Sequence, residues 1–122
     1  MKFVPPKFEP PFRVLLLMSA TQGWYGAPDV PARERILTRM HAFFEGWTNG
    51  GAQVLASFDD DFFLAGQPSS LGWSIFVIYE VPNLELVAER IQSVREEVDG
   101  MRLDNCFRME AHVGRHLFNL DR

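Results

Sequence analysis

Three titratable residues towards the end of the chain, Arg108, Glu110 and His112, occupy alternate positions between Phe107, Met109, Ala111 and Val113. A period of two belongs to a β-strand, so the polar three share one face and the apolar four the other. Imidazole and carboxylate together can divide acid and base work near neutral pH, and a guanidinium can steady an enolate or carboxylate. The same pattern also suits an edge strand whose polar side meets only water or a subunit seam. A catalytic set of His112, Glu110 and Arg108 therefore stands beside a plain structural reading.

Other residues offer weaker chemistry. Trp24 and Tyr25 lie in a Gly-containing loop from Thr21 to Asp29, where aromatic rings either clamp a planar ligand or seal the core. Trp73 opens an apolar run and carries the same ambiguity. His41 follows Leu37 by four residues and precedes Phe44 by three, at the edge of a helical stripe. It reads as a partly buried imidazole with a local partner, or as a pocket base. Asp59, Asp60 and Asp61 are consecutive, so their carboxylates diverge. No calcium-loop pattern follows them, which favours a solvated turn over a metal site.

Composition bounds the rest. The 122 residues carry 47% hydrophobic and 23% charged residues, with eleven Phe and three Trp. That is enough apolar mass for one globular domain. The net charge of −4 gives no electrostatic drive towards nucleic acid or anionic membranes. The single Cys106 rules out an intrachain disulfide and any zinc pattern built on cysteine pairs. The opening Met1 to Pro6 has no signal-type apolar run, and no stretch is long and apolar enough to span a bilayer. A cytoplasmic protein without membrane or nucleic-acid partners is the expectation, and no GxGxxG or Walker loop points to a nucleotide.

The positioning elements follow from periodicity. Pro5, Pro6, Pro10 and Pro11 make residues 1–11 a proline-rich arm, and residues 12–122 form the expected single domain. Phe12–Ser19 reads as a strand buried on both faces. Asp29 and Pro31 open a helix whose stripe is Ile36, Leu37, Met40, Phe44 and Trp47, ended by Asn49-Gly50-Gly51. Gln53–Phe58 and Trp73–Val81 read as strands. Asn83 caps a second helix spaced by Leu84, Val87, Ile91, Val94 and Val98, with Gly100 as its left-handed stop. The strand Phe107–Val113 completes a β-α-β-β-α-β order. This is the ferredoxin-like α+β class, with a four-stranded antiparallel sheet and two helices on one face. The strands holding Leu15, Leu17, Phe76 and Ile78 are apolar on their second face as well. A self-pairing dimer through that open face is therefore expected.

With this layout the chain from Phe12 to Leu117 resembles the dimeric α+β-barrel superfamily. Trp73-Ser74-Ile75-Phe76-Val77-Ile78, followed by a helix and then Met109-Glu110-Ala111-His112, is similar to the second half of muconolactone-isomerase-type members. Leu16-Leu17-Met18-Ser19-Ala20-Thr21 with Trp24 resembles the opening of darcynin-type proteins, whose function is not assigned. The resemblance implies a cleft facing Arg108, Glu110 and His112, with Trp24, Tyr25 and Trp73 holding a ligand. It implies that Asp59 pairs with a cleft histidine, as an Asp-His couple does in some relatives of this layout. The second helix lacks the histidine used by haem-degrading members, so no cofactor is expected. A homodimer performing cofactor-independent isomerisation or oxygenation on a small apolar or aromatic metabolite is the implied function. A non-catalytic ligand-binding or accessory protein using the same cleft is the alternative.

Overall fold

A computed structural model describes residues 9–61, 64–66 and 72–115. Most of the expected arm, residues 1–8, lies outside these, as does His116. The chain is α+β, and its main sheet has four antiparallel strands. In chain order the elements are β1 (Phe12–Ala20), α1 (Gln22–Tyr25), α2 (Val30–Asn49), β2 (Gln53–Asp59), β3 (Ile75–Val81), α3 (Leu84–Ser93), β4 (Glu97–Val98), β5 (Met101–Arg102) and β6 (Phe107–Gly114). A 3-10 turn, Leu103–Asn105, precedes β6. The strand order is β2-β3-β1-β6.

β1 sits between β3 and β6, which explains its nearly unbroken apolar sequence: both flanks are hydrogen-bonded and both faces meet apolar neighbours. Val14, Leu16 and Met18 are fully buried and point to the helices, joined there by Val77, Tyr79 and Val81 of β3. Both helices pack against this one face, α2 through Ile36, Phe43 and Trp47 and α3 through Leu84, Leu86 and Val87. At the centre Trp47 stacks on Tyr79 with ring centroids 4.7 Å apart and planes within 9°. Phe43 meets the Trp47 ring edge-on at 89°.

α2 begins where expected: the Asp29 side chain accepts from the Ala32 amide at 2.9 Å, with Pro31 in the first turn. Its buried stripe is rotated from the expected one. Phe43 is 4% exposed and Leu37 is 43% exposed, so the seam runs Ala32, Ile36, Phe43, Trp47. Steps of four and three fit both choices, and the stacking of Trp47 on Tyr79 fixes which flank of the helix faces inward.

α3 corrects its expected end. The apolar spacing runs on to Val98, yet the helix stops at Ser93. There the Ser93 hydroxyl donates to the Arg90 carbonyl at 2.6 Å, and the Val94 carbonyl accepts from the Asp104 amide at 3.1 Å. A tertiary partner thus takes over a carbonyl that a further helical turn would use. Asp99 and Gly100, with φ of 54° and 75°, are the tip of the β4–β5 hairpin rather than a helix stop. Two successive positive φ values are what a tight hairpin turn with right-twisting strands requires.

Candidate functional site

Strand register decides which side chains share the face of the sheet opposite the helices, which no described element covers. His112 lies opposite Leu15, Glu110 opposite Leu17 and Arg108 opposite Ser19, while across β1 Leu15 faces Ile78 and Leu17 faces Phe76. Partners in an antiparallel ladder point to the same side, so the titratable three border an apolar floor of Leu15, Leu17, Phe76 and Ile78. At the far edge Phe58 stacks on Phe76, with centroids 4.9 Å apart and planes within 14°.

Alternation along β6 leaves Glu110 and His112 adjacent on this face, and the His112 Nε2 lies 2.6 Å from a Glu110 carboxylate oxygen. The side chains are 60% and 46% exposed for His112 and Glu110, so in the single chain the pair is open to water. Arg108 is held differently. Its guanidinium donates to the Gly72 carbonyl and lies 4.6 Å from the centroid of Trp73. A guanidinium on a tryptophan face gains from the ring quadrupole, and this seat orients Arg108 at one end of the floor. Its Nε is buried with no hydrogen-bond partner among the described residues.

Glu110 thus meets His112 and Arg108 meets Trp73, two pairs along one strand face. The other candidates lie elsewhere. Trp24 packs on Phe107 at 5.9 Å and is itself overlain by Arg33 of α2. Since Phe107 points to the helices, Trp24 stands on the opposite side of the sheet from the β6 polar face. Tyr25, beside it on α1, is exposed. α1 is pinned in place, with Thr21 donating its amide to the Cys106 carbonyl and its hydroxyl to the Asn105 carbonyl at 2.7 Å. Gly23 makes this fit possible, because a Cβ there would lie 2.1 Å from the Asn105 oxygen.

His41 is not at the edge of the buried stripe. Its side chain is 77% exposed and pairs with Glu45 one turn on, at 3.2 Å. That is a surface contact between helical neighbours. Among the described residues Asp59 has no histidine paired with it. One carboxylate oxygen accepts from the Asp61 amide at 3.3 Å, a local turn, and the side chain lies against a cavity on the helix side of the sheet. No group of three or more His, Cys, Asp or Glu residues able to hold a metal occurs among the described residues.

Two buried groups off this face titrate abnormally. Burial pushes the Tyr79 phenol up to about 12. Burial, with Asp104 adding to it, also raises the Cys106 thiol.

No protein-family model matches the chain, and no curated protein sequence matches it. Solved structures do resemble it. The methylated RPA0582 protein matches with a TM-score of 0.57 at 17% identity, over 90% of this chain and 83% of that one. RPA0582 is described elsewhere as a Rhodopseudomonas palustris protein of unknown function. A putative chlorite dismutase, TA0507, matches with a TM-score of 0.54 at 22% identity, over 87% of this chain but 46% of that one. The present chain thus spans about half the length of that protein. Likeness at these identities is a likeness of fold. No described helix is long and apolar enough to cross a membrane.

Proposed function

We propose that the chain is a ferredoxin-like subunit of the dimeric α+β-barrel kind that pairs through its open sheet face and binds a small apolar or aromatic metabolite there. The observation that carries this reading is the apposition of the Glu110–His112 pair, 2.6 Å apart, to an apolar floor that no described element covers and on which Leu15, Phe76 and Ile78 stay partly exposed while Leu17 is buried. A floor of Leu15, Leu17, Phe76 and Ile78 gains by being removed from water, and a second copy supplies matching apolar surface. The fold shared with the putative chlorite dismutase is consistent with such pairing.

The chemistry follows from the hydrogen bond. When Glu110 accepts from the Nε2–H of His112, the lone pair of the neutral ring lies on Nδ1, so Nδ1 is the atom that takes a proton from a substrate carbon. Glu110 stabilises the imidazolium so formed, and Arg108 offers its charge to the resulting enolate oxygen. Returning the proton to another carbon is an isomerisation. Attack of the enolate on dioxygen, the co-reactant, is the first step of a cofactor-independent monooxygenation. The exposure of the dyad supports a second reading, a carrier that uses the same face without turnover.

Sedimentation and ligand titration followed by amide NMR test the proposal. A dimer is expected, with small enolisable aromatic ketones shifting residues 15, 17, 76, 78 and 112. Replacing Leu15 with Arg should abolish both. A stable monomer with this face bare to solvent removes the proposal, whereas binding without turnover, unchanged in His112→Ala, leaves the carrier.

A further inference from the structure

On the helix side of the sheet, away from the dyad, a cavity of about 490 Å³ opens between α2 and the β2 edge. Its wall includes Phe44 of α2 with Val54, Ser57, Asp59, Ile75 and Tyr79 from the two strands. Register puts most of its strand residues on the helix side, with Val54 opposite Tyr79, Ser57 opposite Val77 and Asp59 opposite Ile75, while Phe58 and Phe76, whose rings stack on the other face, also border it at the sheet edge. Val77 and Tyr79 both belong to the helix-side core. The volume falls in the lower half of the range of roughly 300–1,000 Å³ that small-molecule sites occupy.

We infer that this cavity is a second binding site, for a small amine carrying one aromatic ring, with the ammonium group at Asp59 and the ring among Phe44, Val54 and Tyr79. Charge selects the ligand. Asp59 stands with Asp60 and Asp61, and among the described residues no ion pair engages its carboxylate. Among the described residues the cavity lining has no Lys or Arg. A neutral apolar occupant would remove Asp59 from water without a partner, which costs free energy. An anion would be repelled by all three carboxylates. An ammonium group instead makes a charge-assisted hydrogen bond to Asp59, and the Ser57 hydroxyl can accept a second. Apolar walls with few polar groups at one end are how such sites fix a ligand's direction.

The probes are phenethylamine, 2-phenylethanol and 3-phenylpropanoate, which share a ring and differ in the end group. Each is titrated into the full chain and followed by amide NMR. The amine is expected to bind about tenfold more tightly than the alcohol, the difference that one charge-assisted contact supplies. The carboxylate is expected not to bind. Shifts should gather at residues 44, 54, 57, 59 and 79. Asp59→Asn should bring the amine down to the alcohol's affinity while leaving the alcohol unchanged. Val54→Trp, at an exposed position on the edge strand, should fill the mouth and exclude both, with the spectrum showing a retained fold. Equal binding of amine and carboxylate, an Asp59→Asn variant that behaves as wild type, or shifts confined to residues 15, 110 and 112 would each overturn the inference. So would shifts at the cavity that depend on protein concentration alone, since a second copy would then be its occupant.

Discussion

The two faces of the central sheet are made from the same kinds of residue and are completed in different ways. On one, Val14, Leu16, Met18, Val77 and Tyr79 are sealed by two helices and fall nearly or fully out of water. On the other, Leu15, Phe76 and Ile78 remain half-buried, and the charged residues of β6 stand along one margin. Burial, and not side-chain type, separates the face that stabilises the single chain from the one proposed for recognition. Removing an apolar group costs free energy in proportion to the surface it kept from water.

Four outcomes sharpen or break that contrast. Trp47→Ala, in the sealed layer, should destabilise the fold by about 3–5 kcal/mol in chemical denaturation, because it empties a large site beside Tyr79. Alkali should act on the same layer next. The Tyr79 phenol is raised to about 12 when folded. Its unfolded value is about 10, so the neutral form it favours supports stability fully below pH ~10. That support is lost as pH rises from about 10 to about 12, by at most ~3 kcal/mol, and Tyr79→Phe should flatten this part of the pH profile. Asp29→Ala, which removes the cap of α2, should cost about 1 kcal/mol. Ile78→Arg on the open face should change the intrinsic stability of the single chain least, within about 1 kcal/mol. If the chain pairs as proposed, its effect should appear in sedimentation as loss of the dimer. If Ile78→Arg unfolds the chain as Trp47→Ala does, the two faces do not differ in the way described here.

The sequence was most readable where one force acted alone. Period-two alternation placed Arg108, Glu110 and His112 on one face because β6 has no bulge against β1. The caps Asp29 and Asn83 were legible because a short acceptor before an apolar run has a local purpose. Reading failed where a tertiary contact chose between local patterns of equal quality. Phe43 and Leu37 fit the same helical period, and only the ring of Tyr79 separates them. Val98 continued a helical spacing that a backbone bond from Asp104 had already cut short. The wall of the helix-side cavity was hidden because the register of β2 shifts between Val54 and Ala56, which breaks the alternation that would have grouped Val54 with Ser57 and Asp59. Trp24 could not be assigned a side from sequence, since a loop residue has no period. Its contact with Phe107 settles the matter.

That irregularity in β2 also bears on how the molecule can grow. An outermost strand normally offers a row of free amides and carbonyls to any extended chain that drifts past, and a strand with one residue out of step presents them at the wrong intervals. Accretion along that edge is thereby discouraged, whereas β6, the outermost strand at the other edge, keeps an unbroken register; the proposed pairing would use the broad flat side instead, where a partner seals the surface once.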